Sequence, residues 1–171
     1  MKKFFGLIIA FVLTTSCDDG EITLQSFDFD SQPVQKCVTK PIVLKTKNDE
    51  LLLISLPEAT FNSAFENSET AGTPREVVVN STNKVIYRKY SGTVSSTAIC
   101  NDLPPASPTV SKEWNASGGT IVIETNALYE NDGVTINGYT HNITFTNISF
   151  SSGEESFSFI SYIFGNYETG L

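Results

Sequence analysis

The feature that most constrains the fold is a series of short apolar or alternating segments, separated by turn-forming residues about every 8 to 12 positions. Segments such as ELLLISL, KVIYRKY and TIVIET have the length and the β-branched content of strands. Long apolar periodicity of the helical kind is almost absent. The pattern predicts about nine strands in a single antiparallel β-sandwich, Ig-like or jelly-roll-like, with a barrel as the alternative.

The stretch PEATFNSAFENSETAGTP differs from the rest of the chain. Ser55 and Glu58 have the spacing of a capping box, and Phe61 and Phe65 lie one helical turn apart. A short helix and a long irregular connection therefore both remain open for this stretch. Strands are expected again from REVVVN onwards, including GTVSSTAIC, before the Pro-rich loop NDLPPASPTVS.

Local signals in the second half predict three turns and one bulge. Turns are expected at Gly118–Gly119, at Asp132–Gly133 and at Gly153. In the stretch YTHNITFTNISF, Phe145 and Ile148 fall on opposite strand parity, although both are apolar. A bulge near Thr146–Asn147 would return both side chains to the core.

The first sixteen residues have the three parts of a secretory signal peptide. Two lysines open the chain, an apolar run follows from residue 4 to residue 13, and small hydroxyl residues precede Cys17. A membrane-spanning helix would need roughly 20 apolar residues, about twice the length of this run. The sequence therefore predicts a signal peptide over residues 1–16.

Cys17, placed directly after the small residues, makes this start similar to that of a bacterial lipoprotein. The resemblance implies that its sulfur receives a diacylglycerol, with acyl chains such as palmitate, and that it becomes the new N-terminus. The usual motif has Leu three residues before the cysteine, whereas this chain has Thr14 there and Leu13 one residue earlier. Looser versions are common in the Bacteroidota. The alternative is a conventional signal peptide with an incidental cysteine.

The acidic stretch DDGE after Cys17 resembles the export signal of surface-exposed lipoproteins in the Bacteroidota. It implies that Asp18 and Asp19 direct the protein to the outer membrane, facing the cell exterior, with the periplasmic face as the alternative. A plain acidic linker is the other interpretation of the same residues. The remaining chain resembles uncharacterised flavobacterial lipoproteins, which implies no activity. The expected organisation is a lipidated cysteine and acidic tether over residues 17–21 and a β-domain over residues 22–171.

The charge of the chain limits its partners. The formal charge is −8, and it becomes −10 without residues 1–16, which hold two lysines and no acid. Nucleic-acid binding needs a basic surface, so that class is excluded. The charge suits a soluble, self-repelling surface, or contacts with cations or basic partners.

Three cysteines occur in the chain. If Cys17 carries lipid, as the resemblance implies, Cys37 and Cys100 remain, and an oxidising envelope favours one disulfide between them. No C-x-x-C motif indicates a redox-active pair, and two cysteines without a nearby histidine do not make a zinc site.

The residues that enzymes use are scarce. The single histidine, His141, lies in a predicted strand beside apolar residues, and no G-x-S-x-G motif accompanies it. It is interpreted as a half-buried structural residue, and no catalytic residue is predicted. Acid pairs at Asp28 with Asp30 and at Glu154 with Glu155 leave a carboxylate hydrolase as a minor hypothesis. Solvated strand faces are the favoured explanation, because Asp28 and Asp30 alternate with Phe27 and Phe29.

The sequence predicts no metal and no cofactor. Oxygen-rich stretches at residues 28–32 and 131–133 have groups that calcium prefers, but neither matches the spacing of an EF-hand loop. Phosphate-binding and dinucleotide-binding motifs do not occur.

Trp114, Tyr129 and Tyr139 are the candidate ligand-binding residues. Exposed rings could form an aromatic platform for sugars, and Trp114 follows a Pro-rich loop that would leave it partly exposed. The function expected from the sequence is a non-catalytic, membrane-anchored surface lipoprotein that binds or assembles with another envelope component. A glycan-binding accessory module of a polysaccharide-handling system is the alternative.

Overall fold

The computed structural model describes residues 27–103, 105–153 and 155–170. The described residues are mostly antiparallel β, with 55% of them in strands and 8% in helices, so the expected all-β, antiparallel character is confirmed. In chain order the elements are β1 (Gln35–Lys36), β2 (Ile42–Lys47), β3 (Glu50–Ser55), α1 (Glu58–Ala64), β4 (Arg75–Val78), β5 (Lys84–Tyr90), α2 (Ser96–Cys100), β6 (Val110–Tyr129), β7 (Ile136–Ser152) and β8 (Glu155–Gly170).

The described strands form one sheet in the order β1-β2-β3-β5-β6-β7-β8, with β4 paired to β6 beside β5. The sheet is curled into a half-barrel. The two facing sheets of a sandwich are not confirmed, because β5 pairs continuously with β3 on one side and with β6 on the other. The described residues contain eight strands, where about nine were expected for the chain.

Strands β6, β7 and β8 form a long antiparallel meander whose two turns were predicted correctly. Gly133 has a φ of 71° and Gly153 a φ of 61°, values that glycine adopts without a steric cost. The Asp132 carboxylate accepts hydrogen bonds from the Val134 and Thr135 amides at 2.9 and 2.8 Å. These bonds fix the first turn, as an Asx turn does.

The predicted bulge in β7 is confirmed at Asn147, which has a φ of 50°. Phe145, Ile148 and Phe150 are all fully buried, so the extra residue restores the inward parity. The prediction of a turn at Gly118–Gly119 was wrong, because β6 continues through both glycines and only shifts its register against β7. A Cβ on Gly119 would lie 2.7 Å from the Ile148 Cα. Glycine therefore permits a close approach of two strands here, not a reversal.

Two helices cover parts of the sheet. Helix α1 begins after Pro57, with no side-chain cap bond, so the expected capping box does not form. An irregular stretch follows it, so both interpretations of this region hold in part. Residues 96–100, expected in a strand, form α2 instead, and the Ser95 hydroxyl caps it by accepting from the Ala98 amide at 3.3 Å. Serine at this position stabilises a helix start.

The inner face of the half-barrel is filled largely by aromatic side chains, and Phe27 lies at their centre. Its ring centroid is 5.0 Å from those of Tyr87 and Phe159 and 5.1 Å from that of Tyr162. These contacts join the β5 side of the sheet to β8. Because no strand pairing crosses this gap in the described residues, side-chain packing must hold the two sides together.

Close to the same gap, β2 approaches β8 through Lys45. This side chain is only 2% exposed, and its ammonium lies 5.8 Å from the centroid of the Phe164 ring. A Cβ on Gly165 would lie 2.9 Å from Val34 and 3.2 Å from the Lys45 Nζ. The absence of a side chain at Gly165 therefore makes room for both, and burial lowers the pKa of Lys45.

Strand β3 is buried on both faces, which explains its unbroken apolar sequence. Leu52 and Ile54 face the main core, whereas Leu51 and Leu53 belong to a second cluster on the opposite side of the sheet. The second cluster also includes Val94 and is packed against Ile99 and Cys100 of α2. A helix and its flanking loops therefore cover the face that a second sheet would cover in a sandwich.

The two adjacent glycines of β6 provide a matched test of this geometry. We expect Gly119→Ala to lower the free energy of unfolding by about 2 kcal/mol or more, because φ is 117° and the added carbon meets the β7 backbone. Gly118→Ala should be close to neutral, since nothing lies within 4 Å of the new Cβ. Urea unfolding of both variants measures the difference, and equal stabilities would contradict the proposed role of Gly119.

Candidate functional site

The predicted anchor lies outside the described residues. This applies to the signal peptide, to Cys17 and to the acidic residues Asp18 and Asp19. Within the described part of the chain, no helix is long and apolar enough to cross a membrane.

The predicted disulfide is confirmed: Cys37 and Cys100 are joined, with their Cα atoms 5.2 Å apart. The bond ties the end of α2 to the loop before β2, at the margin of the second apolar cluster. Its partners are 63 residues apart in the sequence, for which the loop-entropy relation gives about 4 kcal/mol of stabilisation. Lys40 adds a further link, since its ammonium donates to the Asn101 carbonyl at 2.5 Å.

His141 is fully buried, deeper than the half-buried position expected for it. Thr125 Oγ1 lies 2.8 Å from His141 Nδ1 and also accepts a hydrogen bond from Arg75 Nη1 at 2.8 Å. An imidazole protonated on Nε2 fits both contacts, because Nδ1 then accepts from the Thr125 hydroxyl and Nε2 faces Thr169 Oγ1 at 3.5 Å. Thr169 in turn donates to Asn67 Oδ1 at 2.7 Å.

This hydrogen-bonded chain has a structural explanation. It links β6, β7 and β8 to the irregular segment after α1, because Arg75 Nη2 also donates to the Ser68 carbonyl at 2.8 Å. Burial, together with the nearby Arg75 charge, lowers the pKa of His141 to about 4. A neutral imidazole enclosed by Phe65 and Tyr167 is then the stable form. Thr125 Oγ1, the hydroxyl beside His141 Nδ1, belongs to a residue that is itself fully buried.

The three candidate aromatic residues do not form one platform. Trp114 is 1% exposed and stacks on Tyr87 at 4.9 Å, so the expectation of partial exposure was wrong. The reason is parity: Trp114 shares the inward face of β6 with Ile121 across the Gly118–Gly119 register shift. Tyr129 is exposed at the far end of β6, fifteen residues away, which corresponds to about 50 Å along a strand.

Tyr139 lies near Tyr129 but is only partly exposed. It pairs with Ala127 in the β6–β7 ladder. The structure therefore brings two of the three rings to the same end of the sheet, and neither of them lies near Trp114.

The acid pairs are engaged in local contacts. Asp28 Oδ1 accepts from the Asp30 amide at 3.0 Å, and its other oxygen lies 3.4 Å from the Lys47 ammonium. The backbone bond and then the lysine contacts lower the pKa of Asp28. Both carboxylates are exposed, as expected for a solvated segment. Glu154 lies outside the described residues, and Glu155 is ion-paired with Lys112.

The oxygen-rich turn at residues 131–133 is similarly explained without a metal. The side chain and the backbone of Thr135, followed by the Val134 amide, hold the pKa of Asp132 at about 2. Its two carboxylate oxygens are thus already used to fix the turn. Among the described residues, no group of three or more metal-binding side chains comes together.

A cleft of about 240 Å³ lies between α2, the Pro-rich loop and the adjacent parts of β5 and β6. Its lining is mainly apolar, with Val94, Ile99 and Pro108 among the contributors. The charged side chain in its wall, Arg88, is already paired with Glu113 at 2.5 Å. Among the described residues that line the cleft, the charged side chain is therefore already held in an ion pair.

The surface with the most unusual composition is the outer side of strands β4, β6, β7 and β8. Ladder pairing aligns one row of Glu76, Val122, Thr144 and Ile163, and the next row of Val78, Thr120, Thr146 and Ser161. We call these two rows the outer face. Val78 and Ile163 are 64% and 69% exposed, so its apolar members reach solvent.

The outer face has no cationic residue, and the reason is visible in the sequence. No lysine or arginine occurs from residue 113 to residue 171, which covers nearly all of β6 and the whole of β7 and β8. The face is therefore neutral at its centre, with Glu76 as its acidic member. The uneven placement of lysine and arginine along the chain is the signal that could have indicated this face, whereas its alignment depends on the register of the paired strands.

No family model, curated protein or solved structure matches this chain. The arrangement of the described residues therefore has to support any functional conclusion without help from relatives.

The buried histidine gives a pH-dependent prediction. Since the folded-state pKa of about 4 lies below the ordinary value of 6.5, the unfolded chain binds the proton more readily. The stabilisation is complete above about pH 6.5 and is lost as the pH falls towards 4, by about 3 kcal/mol in total. Because the chain has one histidine, its imidazole signals in an NMR titration report this pKa directly.

His141→Gln is the control for this titration, because its side chain cannot take up a proton. Its stability should change much less between pH 6.5 and pH 4.5, a range above the ordinary pKa of carboxylates. A histidine that titrates near 6.5 in the folded protein would contradict the buried, neutral assignment.

Proposed function

We propose that this protein is a non-catalytic lipoprotein of the outer membrane, facing the cell exterior, whose outer face docks another envelope component. The observation that carries the proposal is the disulfide between Cys37 and Cys100. It accounts for two of the three cysteines and suits an oxidising compartment. The remaining cysteine, Cys17, stands where a lipoprotein signal would place it.

The acyl chains would supply the membrane attachment. Each buried CH₂ group contributes about 0.8 kcal/mol, and two or three chains together give a stable anchor. The folded domain then needs no membrane-binding surface of its own. Its acidic charge agrees with this division of roles, because anionic surfaces repel it.

The outer face supports docking better than chemistry. Its exposed Val78 and Ile163 lie in line with hydroxyl side chains, and its two rows contain no lysine or arginine. Glu76 at one end would favour a partner that carries a cation at that margin. His141 and the carboxylates discussed above are engaged in structural contacts, which favours a binding function over an enzymatic one.

Lipidation of Cys17 is the first expected outcome. Mass spectrometry of the native protein, purified from membranes, should find an N-terminal peptide that begins at Cys17 with two or three acyl chains. Cys17→Ser should release the protein from the membrane fraction while Cys37 and Cys100 remain paired. An unmodified Cys17 in the membrane-bound protein would contradict the proposal.

The acidic residues after Cys17 test the proposed location separately. In the Asp18→Asn, Asp19→Asn double variant, the acyl chains should remain, but protease added to intact cells should no longer reach the domain. Unchanged accessibility would remove Asp18 and Asp19 as the export signal without affecting the anchor.

Docking through the outer face is tested by crosslinking on intact cells. We expect a defined crosslinked product with the native protein and at least a tenfold loss of it with Ile163→Lys, because a charge would then replace one of the two most exposed apolar side chains of the outer face. Val134→Lys, an equally exposed valine in the β6–β7 turn, is the matched control and should retain the product. Equal yields from both variants would place the contact elsewhere.

A further inference from the structure

Helix α2 lies in an excursion of the chain between β5 and β6 whose base is closed by hydrogen bonds. The Ser91 amide donates to the Thr109 carbonyl at 2.9 Å, and the Thr109 amide donates to Ser91 Oγ at 3.0 Å. On the way to α2, the Val94 amide donates to the Asn48 carbonyl at 2.8 Å. The ladder between β5 and β6 begins at this base, so strand pairing does not include α2.

Apart from its disulfide, α2 is held weakly. None of its five residues is fully buried, although Ile99 and Cys100 pack against the second apolar cluster. A helix of this length is not stable by itself. The ion pair beside its end, Lys40 with Asp102 at 3.6 Å, is open to solvent and contributes little. The covalent bond from Cys100 is therefore the main attachment of α2.

The two cysteines differ in how firmly the fold holds them and in their exposure. The Cys37 amide donates to the Ile42 carbonyl at 3.0 Å, next to the paired strands β1 and β2, and Cys37 is only 1% exposed. Cys100 is the last residue of α2 and is partly exposed. A thiol from solvent therefore reaches Cys100 more readily, and access helps to decide which sulfur is attacked.

We propose that the Cys37–Cys100 bond is a redox-sensitive clasp, which a protein dithiol opens to release α2 from the sheet. The thiolate of the reductant bonds to Cys100 Sγ, the S–S bond breaks, and its electron pair stays on Cys37 Sγ, which takes up a proton. The second thiol of the reductant then displaces Cys100 Sγ, which is protonated in turn. The reductant ends as a disulfide, and both cysteines end as thiols.

Release of α2 uncovers one side of the sheet without disturbing the other. Leu51, Leu53 and Tyr90 belong to the second apolar cluster, whereas the main cluster on the opposite face contains no residue of α2. The cleft beside α2 then loses the wall that Ala98 and Ile99 form. The reduced protein thus presents an apolar surface that the oxidised protein covers. This device depends neither on the anchor nor on the outer face.

Reduction followed by NMR tests the clasp. The sample is residues 17–171 with Cys17→Ser, in which Cys37 and Cys100 are the only cysteines. With excess dithiothreitol, we expect the Cα shifts of residues 96–100 to move to random-coil values. The fluorescence of an added apolar dye should rise about threefold or more, because the second cluster becomes exposed. The signals of His141, buried against Phe65, should stay in place, and reoxidation should restore α2.

A monothiol identifies the sulfur that is attacked. Brief treatment with glutathione forms a mixed disulfide that has no second thiol to resolve it, and iodoacetamide then blocks the sulfur that is released. Peptide mass spectrometry should find glutathione on Cys100 and the alkyl group on Cys37. The reverse labelling would overturn the assignment of Cys100 as the attacked residue.

Ser95→Ala is the matched control, because it removes the side-chain cap of α2 and leaves the disulfide intact. The oxidised variant should keep the helical shifts of residues 96–100, and their loss would show that the cap, not the clasp, holds α2. Helical shifts that persist in the reduced parent protein would overturn the proposal. So would a loss of the His141 signals together with those of α2, because the bond would then hold the whole fold.

Discussion

The fold depends on how the two sides of a curled sheet are held together where strand pairing stops. In the described residues the ladder ends at β1 on one side and at β8 on the other. Among the described residues no strand pairing joins them, and the contacts seen there are made by side chains: the Phe27 ring against β5 and β8, and Lys45 against Phe164. Aromatic rings suit this role because each buries a large area with few rotatable bonds.

A second constraint acts on the opposite face of the sheet. Strand β3 is apolar on both faces, and its outward leucines would be exposed if α2 did not cover them. Helix α2 has only five residues, too few for stability by itself. The Cys37–Cys100 bond holds its end in place, so the disulfide and the second apolar cluster depend on one another.

Much of the local structure could be predicted from the sequence, because it depends on short-range rules. The Asn147 bulge follows from the parity of Phe145 and Ile148, and the turn at Asp132–Gly133 follows from its residues. The incorrect predictions concern features that depend on contacts between segments far apart in the sequence. An apolar run such as that of β3 has the same pattern whether a sheet or a helix covers it. Gly118–Gly119 has the composition of a turn, and only the passage of β7 across it makes it a bulge.

The candidate site could likewise be predicted only in part. The lack of lysine and arginine after residue 112 can be read from the sequence, but the rows of the outer face depend on strand register. Register also decides that Trp114 points inward, which no local rule around the Pro-rich loop indicates.

The cations of the domain are mostly used inside the fold, and this determines how it can meet other surfaces. Lys47, Arg88 and Lys112 form ion pairs with acidic residues, and Arg75 is bonded to Ser68 and Thr125. Exposed pairs of this kind contribute little stability, typically about 0 to 1 kcal/mol. Their larger effect is to neutralise the basic groups that could otherwise attract an anionic membrane. Because the remaining surface is acidic, the proposed attachment to a membrane would depend on something other than charge, and the proposed lipid on Cys17 would supply it.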